Sequence, residues 1–169
     1  MSARRDATAA VLALALAFCA PLPASAASQD DAAEASDEAG DAAPPGTGDA
    51  WIDRRLDDMD GYAARYRDAF IDEIARYQEA PRELLVETLD AGMRPGDVYY
   101  ACALASAAGR SCRGVIDAWR ASAGGGWPAV AEGLGLAPAD GLHARIRDDI
   151  DASYRRWARP HAHLDKPKP

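Results

Sequence analysis

After residue 26 the chain has no apolar run approaching the roughly 18 residues that a membrane-spanning helix needs, so no membrane span is expected there. Lysine is nearly absent: Lys166 and Lys168 are the only two among 19 basic residues, and the arginines are spread along the chain without a local patch. With a formal net charge of −8, such a chain repels phosphate, and nucleic acid is not an expected partner. The familiar catalytic signatures are missing too. There is no G-x-S-x-G, H-E-x-x-H, C-x-x-C or Gly-rich phosphate loop, so neither a catalytic residue nor a cofactor is indicated. No segment alternates apolar and polar residues as a half-buried strand does, which points to an all-α fold.

What is present begins with an export signature. Arg4 and Arg5 precede the uncharged apolar stretch Val11 to Ala20, and Ala24-Ser25-Ala26 forms an A-x-A cleavage site. The mature chain is expected to start near Ala27, in the periplasm or outside the cell. Leu16-Ala17-Phe18-Cys19 looks like a lipobox, but bulky Phe18 stands where a small residue belongs, which argues against lipidation at Cys19. Asp6-Ala7-Thr8 after the arginine pair argues likewise against a twin-arginine signal.

Cleavage would leave 17 basic and 26 acidic residues, a net charge of −9. Residues 27–50 hold seven acids and no base among Ala, Gly, Ser and Pro. Lacking branched and aromatic side chains, this stretch buries too little surface to offset its ordering entropy, and it reads as a disordered acidic tether. The remainder, about 119 residues from Trp51, suits one domain with one modest core, expected over residues 51–160 and followed by a frayed tail at 161–169.

Helical periodicity organises that domain into five to six helices. Ile52, Leu56, Met59, Tyr62, Tyr66, Phe70, Ile74 and Tyr77 make one long stripe, with Gly61 its weakest point. Pro81 opens a short helix with Leu84, Leu85 and Leu89 that stops at Gly92. Asp97 reads as the cap of an alanine-rich helix from Val98 to Ala108, with Gly109 as its left-handed stop. Ser111 caps a helix bearing Val115, Ile116 and Trp119, which gives way at Gly124-Gly125-Gly126. Trp127-Pro128 opens another with Val130 and Leu134, and Leu142, Ile146, Ile150, Tyr154 and Trp157 form the last stripe before Pro160.

Export removes Cys19 and leaves Cys102 and Cys112 in an oxidising compartment, where a disulfide is the expected state. A straight helix from 102 to 108 rises about 9 Å, whereas bridged α-carbons lie within about 7 Å. The turn must therefore fold back along the helix, or the helix must end early, or Cys102 is a buried thiol.

Pro95-Gly96-Asp97-Val98-Tyr99-Tyr100-Ala101-Cys102-Ala103-Leu104-Ala105, Gly109-Arg110-Ser111-Cys112 and Gly126-Trp127-Pro128-Ala129-Val130-Ala131 with Leu134-Gly135 resemble a group of small exported bacterial proteins of unassigned function. The resemblance spans about residues 95–138, and Pro128 replaces the second glycine of that group's Gly-Trp-Gly. It implies a lineage without a mechanism. The Ser111 and Trp127 helices also form a helix-turn-helix-like pair, yet Glu132 and two glycines stand where a DNA reader needs basic and amide side chains, so core packing is the better reading.

Several residues invite functional readings. Tyr99, Tyr100, Trp119 and Trp127 could line an aromatic groove for a peptide or glycan, or build an ordinary core. Asp58, Asp60 and Gly61 mimic part of a calcium loop whose first and last ligands would fall on Leu56 and Arg67, so no metal is expected there. His161 and His163 lack further ligands, and no nucleophile is implied near His143. Arg113, Asp117 and Arg120 form a solvent-facing ion-pair row. Two functions remain: a non-enzymatic exported module that binds an envelope protein, peptide or glycan, and a small envelope hydrolase using a carboxylate pair such as Asp97 and Asp117.

Overall fold

The computed structural model describes residues 46–122, 124–136 and 141–165; the expected export signal and most of the expected tether lie outside the described residues. The described residues are all helical: α1 (Ala50–Arg65), α2 (Arg67–Tyr77), α3 (Arg82–Asp90), α4 (Pro95–Ala107), α5 (Cys112–Ala121), α6 (Gly126–Gly133), α7 (Leu142–Arg156) and a final 3₁₀ turn, Ala162–Asp165. The described residues hold seven α-helices because the long first stripe divides in two. The division falls at Tyr66 (φ −133°, ψ 51°) and not at Gly61, which is exposed inside α1. Tyr66 turns outward and is 56 % exposed, while Phe70, Ile71 and Ile74 of α2 resume the buried stripe.

The centre of the fold is α4, whose residues Gly96 to Ala105 are all buried. A helix apolar on every face needs neighbours all round, and α1, α3, α5 and α7 supply them. Its start differs from the expected one. Pro95 takes the first helical position, Asp97 lies within the first turn, and the cap comes from α1, where Asp60 accepts from the Gly96 N–H at 2.7 Å. Here the two backbones nearly touch, since a Cβ on Gly96 would stand 2.6 Å from the Leu56 carbonyl oxygen. Glycine is required there by space.

Gly109 (φ 64°) ends α4 as expected, with the Arg110 N–H returning to the Ala105 carbonyl at 2.8 Å. Ser111 caps α5 by accepting from the Gly114 N–H. The turn folds the chain back along α4, so that Cys102 and Cys112 are disulfide-bonded with α-carbons 4.4 Å apart. Of the three outcomes open from the sequence, the fold-back is the one realised. Helix α5 then lies against α4 and carries α6 with it.

Both ends of the domain extend beyond their expected limits. At the start, Asp49 is no part of a tether: it is buried, caps α1 by accepting from the Trp51 and Ile52 N–H groups, and binds Arg147 of α7 at 2.6 Å. Thr47 donates to Asp53 and is also buried. At the other end, the expected fraying of His161 to Asp165 is not found. The 3₁₀ turn lays Leu164 against the core and brings Asp165 to Arg55. Both errors have one cause, since each segment is held by polar side chains that apolar periodicity does not register.

Candidate functional site

Tyr100 and Leu104 stand one turn apart on α4 and meet Trp127 near the start of α6 and Leu142 at the start of α7. Together with Ala131 and Leu136 they wall a cleft of about 470 Å³, lined mostly by carbon, with Thr47, Glu132 and His143 as polar members of its lining. That volume and composition fall in the range of small-ligand and side-chain pockets.

The Trp127 ring is fixed by three contacts. Its Nε1–H donates to the Asp97 carboxylate at 2.9 Å, its edge meets Tyr100 with ring centres 4.6 Å apart, and Trp119 lies 6.1 Å away. A ring so held makes a preformed wall. Its far side borders a second, smaller cleft of about 180 Å³, where Asp53, Asp57, Arg94, Asp97 and Trp119 gather. The charges there are largely satisfied within the protein: Arg94 binds Asp57 and Asp60 at 2.8 and 2.7 Å, and Asp53 accepts from Thr47. Burial pushes the Asp97 carboxyl above its ordinary range, against the opposing pull of the Trp127 hydrogen bond and of Arg94.

The four aromatic residues singled out in the sequence thus separate. Tyr99 belongs to the core alone: it is wholly buried, bonded to Ser153 at 2.8 Å and packed on Phe70. Tyr100 and Trp127 line the apolar cleft while only 3 and 4 % exposed, and half-buried Trp119 lines the smaller one. Neither of the exclusive alternatives, groove or core, describes the set. Helical geometry explains this, since Tyr99 and Tyr100 are neighbours in sequence and must leave α4 in directions about 100° apart.

His143, near which the sequence implies no nucleophile, stands at one corner of this cleft. Its Nε2 lies 3.3 Å from the Tyr100 hydroxyl and its Nδ1 3.7 Å from Asp49, placing it between the cleft and a buried carboxylate. Burial raises the pKa of Asp49, but hydrogen bonds from the Ile52 and Trp51 N–H groups and from Arg147 outweigh it, so Asp49 stays below the usual carboxylate range. Tyr100 is pushed upward by burial and then by Asp53 and Asp49, so its phenol keeps its proton. The one available signal for this corner was Asp49 three residues before Ile52, an N-cap spacing that marks where α1 begins.

The other sequence candidates are placed as follows. Asp97 and Asp117 share no cleft: Asp117 is exposed on α5 and pairs with Arg120 at 3.6 Å, while Asp97 faces Trp127. Asp58 binds Arg159 and Tyr154, and Asp60 binds Arg94 and Gly96, so the part-loop of acids is consumed in packing. His161 lies between Asp151 at 3.2 Å and Arg55 at 3.5 Å, with His163 exposed. Among the described residues no group of three or more His, Cys, Asp or Glu is arranged to hold a metal ion, and no helix among them is long and apolar enough to cross a membrane. No family model matches the chain, and no curated protein or solved structure matches it either.

Proposed function

We propose that this protein is an exported, non-enzymatic binding module of the bacterial envelope or its surroundings, and that it holds an apolar side chain of a partner protein or peptide in the cleft beside Trp127. The observation that carries this reading is the cleft itself, a carbon-lined space of about 470 Å³ whose Trp127 wall is fixed by Asp97, Tyr100 and Trp119. A preformed wall lowers the ordering cost of binding. With Tyr100 and Trp127 almost wholly covered, neither offers the open ring face on which a sugar stacks, and this favours an aliphatic side chain over a glycan.

Export is supported by the N-terminal signature and by the Cys102 to Cys112 bond, which persists in oxidising compartments. The mature N-terminus is expected near Ala27 without lipid on Cys19, as intact mass of the exported protein will tell. The binding reading is tested by calorimetric titration with blocked leucine-containing peptides. Ala131→Phe, which fills the cleft from α6, is expected to abolish binding while leaving the melting temperature within a few degrees of the parent. Unchanged affinity in that variant would place the ligand elsewhere.

A further inference from the structure

The rim of the apolar cleft carries a charge that the fold does not use. The acids nearby on α1 and at its cap are engaged within the fold: Asp49 with Arg147, Asp58 with Arg159, Asp57 and Asp60 with Arg94, while Asp53 accepts hydrogen bonds from Thr47. Glu132 of α6 differs. It lines the cleft, is exposed, and forms no ion pair among the described residues. Among the described residues no arginine or lysine lines the cleft beside it, and His143 is the one other titratable side chain besides Tyr100 in its lining.

Resting on the reading of this cleft as the binding site, we infer that its occupant is an aliphatic side chain borne next to a basic residue of a protein partner, with the base meeting Glu132 at the rim. The geometry divides the recognition in two. Tyr100, Leu104, Trp127 and Leu142 surround the apolar group, and most of the affinity comes from the carbon surface that this group itself withdraws from water. Glu132 supplies selectivity, because a solvent-facing carboxylate attracts a cation but contributes little to total affinity. An acidic residue in the partner's basic position would meet Glu132 directly and be rejected.

Two blocked peptides separate the parts of this inference: acetyl-Gly-Leu-Lys-Gly amide and the same peptide with Gln in place of Lys. On the parent protein at low ionic strength the Lys peptide should bind about threefold more tightly, the size of a solvent-exposed ion pair, and the difference should shrink in high salt. Glu132→Gln, an exposed substitution that leaves the fold untouched, should make the two peptides equal at the affinity of the Gln peptide. Equal binding of both to the parent, or a Lys preference that survives Glu132→Gln, overturns the assignment of a basic neighbour while leaving the cleft reading in place. Failure of both peptides to bind the parent overturns the cleft reading, and this inference with it.

Discussion

The Arg55 guanidinium, wholly buried and stacked 3.8 Å over the Trp51 ring, finds its carboxylate in Asp165, 110 residues later in the chain and 2.5 Å away. The pair is asymmetric, since the Asp165 side chain is 49 % exposed. The arginine therefore needs the aspartate more than the aspartate needs it, and the last turn of the chain is held by a charge that would otherwise be buried without a counterion.

Removing one partner of such a pair costs more than removing both, because the surviving charge stays desolvated. Asp165→Asn is accordingly expected to lower the melting temperature by several degrees, and Arg55→Met combined with Asp165→Asn to recover most of that loss. Differential scanning calorimetry of the two variants checks it. Arg55 holds the Asp165 pKa below its ordinary value, so this contribution is present above the unfolded-state pKa and is lost as the pH falls below about 4. An Asp165→Asn variant as stable as the parent at pH 7 would remove the latch from the account.

Asp97 has the opposite sign. Burial raises its pKa in the folded protein, so its contribution is greatest below the unfolded-state pKa and is lost as the pH rises through the folded-state value. Asparagine keeps an oxygen to accept from the Trp127 Nε1–H but carries no charge. Asp97→Asn should therefore melt higher than the parent at pH 7, with the advantage fading as the pH is lowered past the point where Asp97 itself takes up a proton. Melting curves between pH 4 and pH 7 give the comparison, and a variant less stable at neutral pH would show that the charged form is the one the fold prefers.

The Cys102 to Cys112 bond closes a loop with a sequence separation of 10. Loop entropy alone makes that worth about 2 to 3 kcal/mol. Cys102→Ala with Cys112→Ala should lower stability by about that amount in urea titration, and thiol labelling of the unreduced, denatured parent should find no free cysteine in the mature chain. Two reactive thiols would contradict the bond.

Gly96 marks the closest approach of one backbone to another among the described glycines. Gly96→Ala would drive a methyl group toward the Leu56 carbonyl, which stands 2.6 Å from where the Cβ would lie. Separating α1 from α4 by that much should cost about 2 kcal/mol, in the range measured for overpacked cores. Gly61→Ala, on open helix surface, should instead stabilise by a few tenths to about 1 kcal/mol. Equal effects of the two would disprove the close contact.

Much of the fold was legible because apolar spacing reports burial directly. Ile52, Leu56 and Met59, Ala101, Ala103 and Ala105 of α4, and Leu142, Ile146, Ile150 and Tyr154 are buried where the periodicity places them. Gly109 and Ser111 likewise act as stop and cap. Less legible were the features made by pairing across long sequence distances. Asp60 caps α4 from another helix, Arg147 draws Asp49 into the domain, and Arg55 recruits Asp165; no local pattern contains both members of any of these pairs. The candidate site shows the same division. Tyr100 and Trp127 were visible as aromatics, whereas Leu104, Leu142 and His143 become part of a cleft only once α4 and α7 are packed together.

The most direct test of the central claim is the set of intermolecular nuclear Overhauser effects between a bound leucine-containing peptide and methyl-labelled protein. With the leucine side chain seated in the cleft, its methyls contact Leu104, Leu136 and Leu142 and the Trp127 ring. Contacts confined to the opposite end of α7, around Ala158 and Pro160, would contradict it.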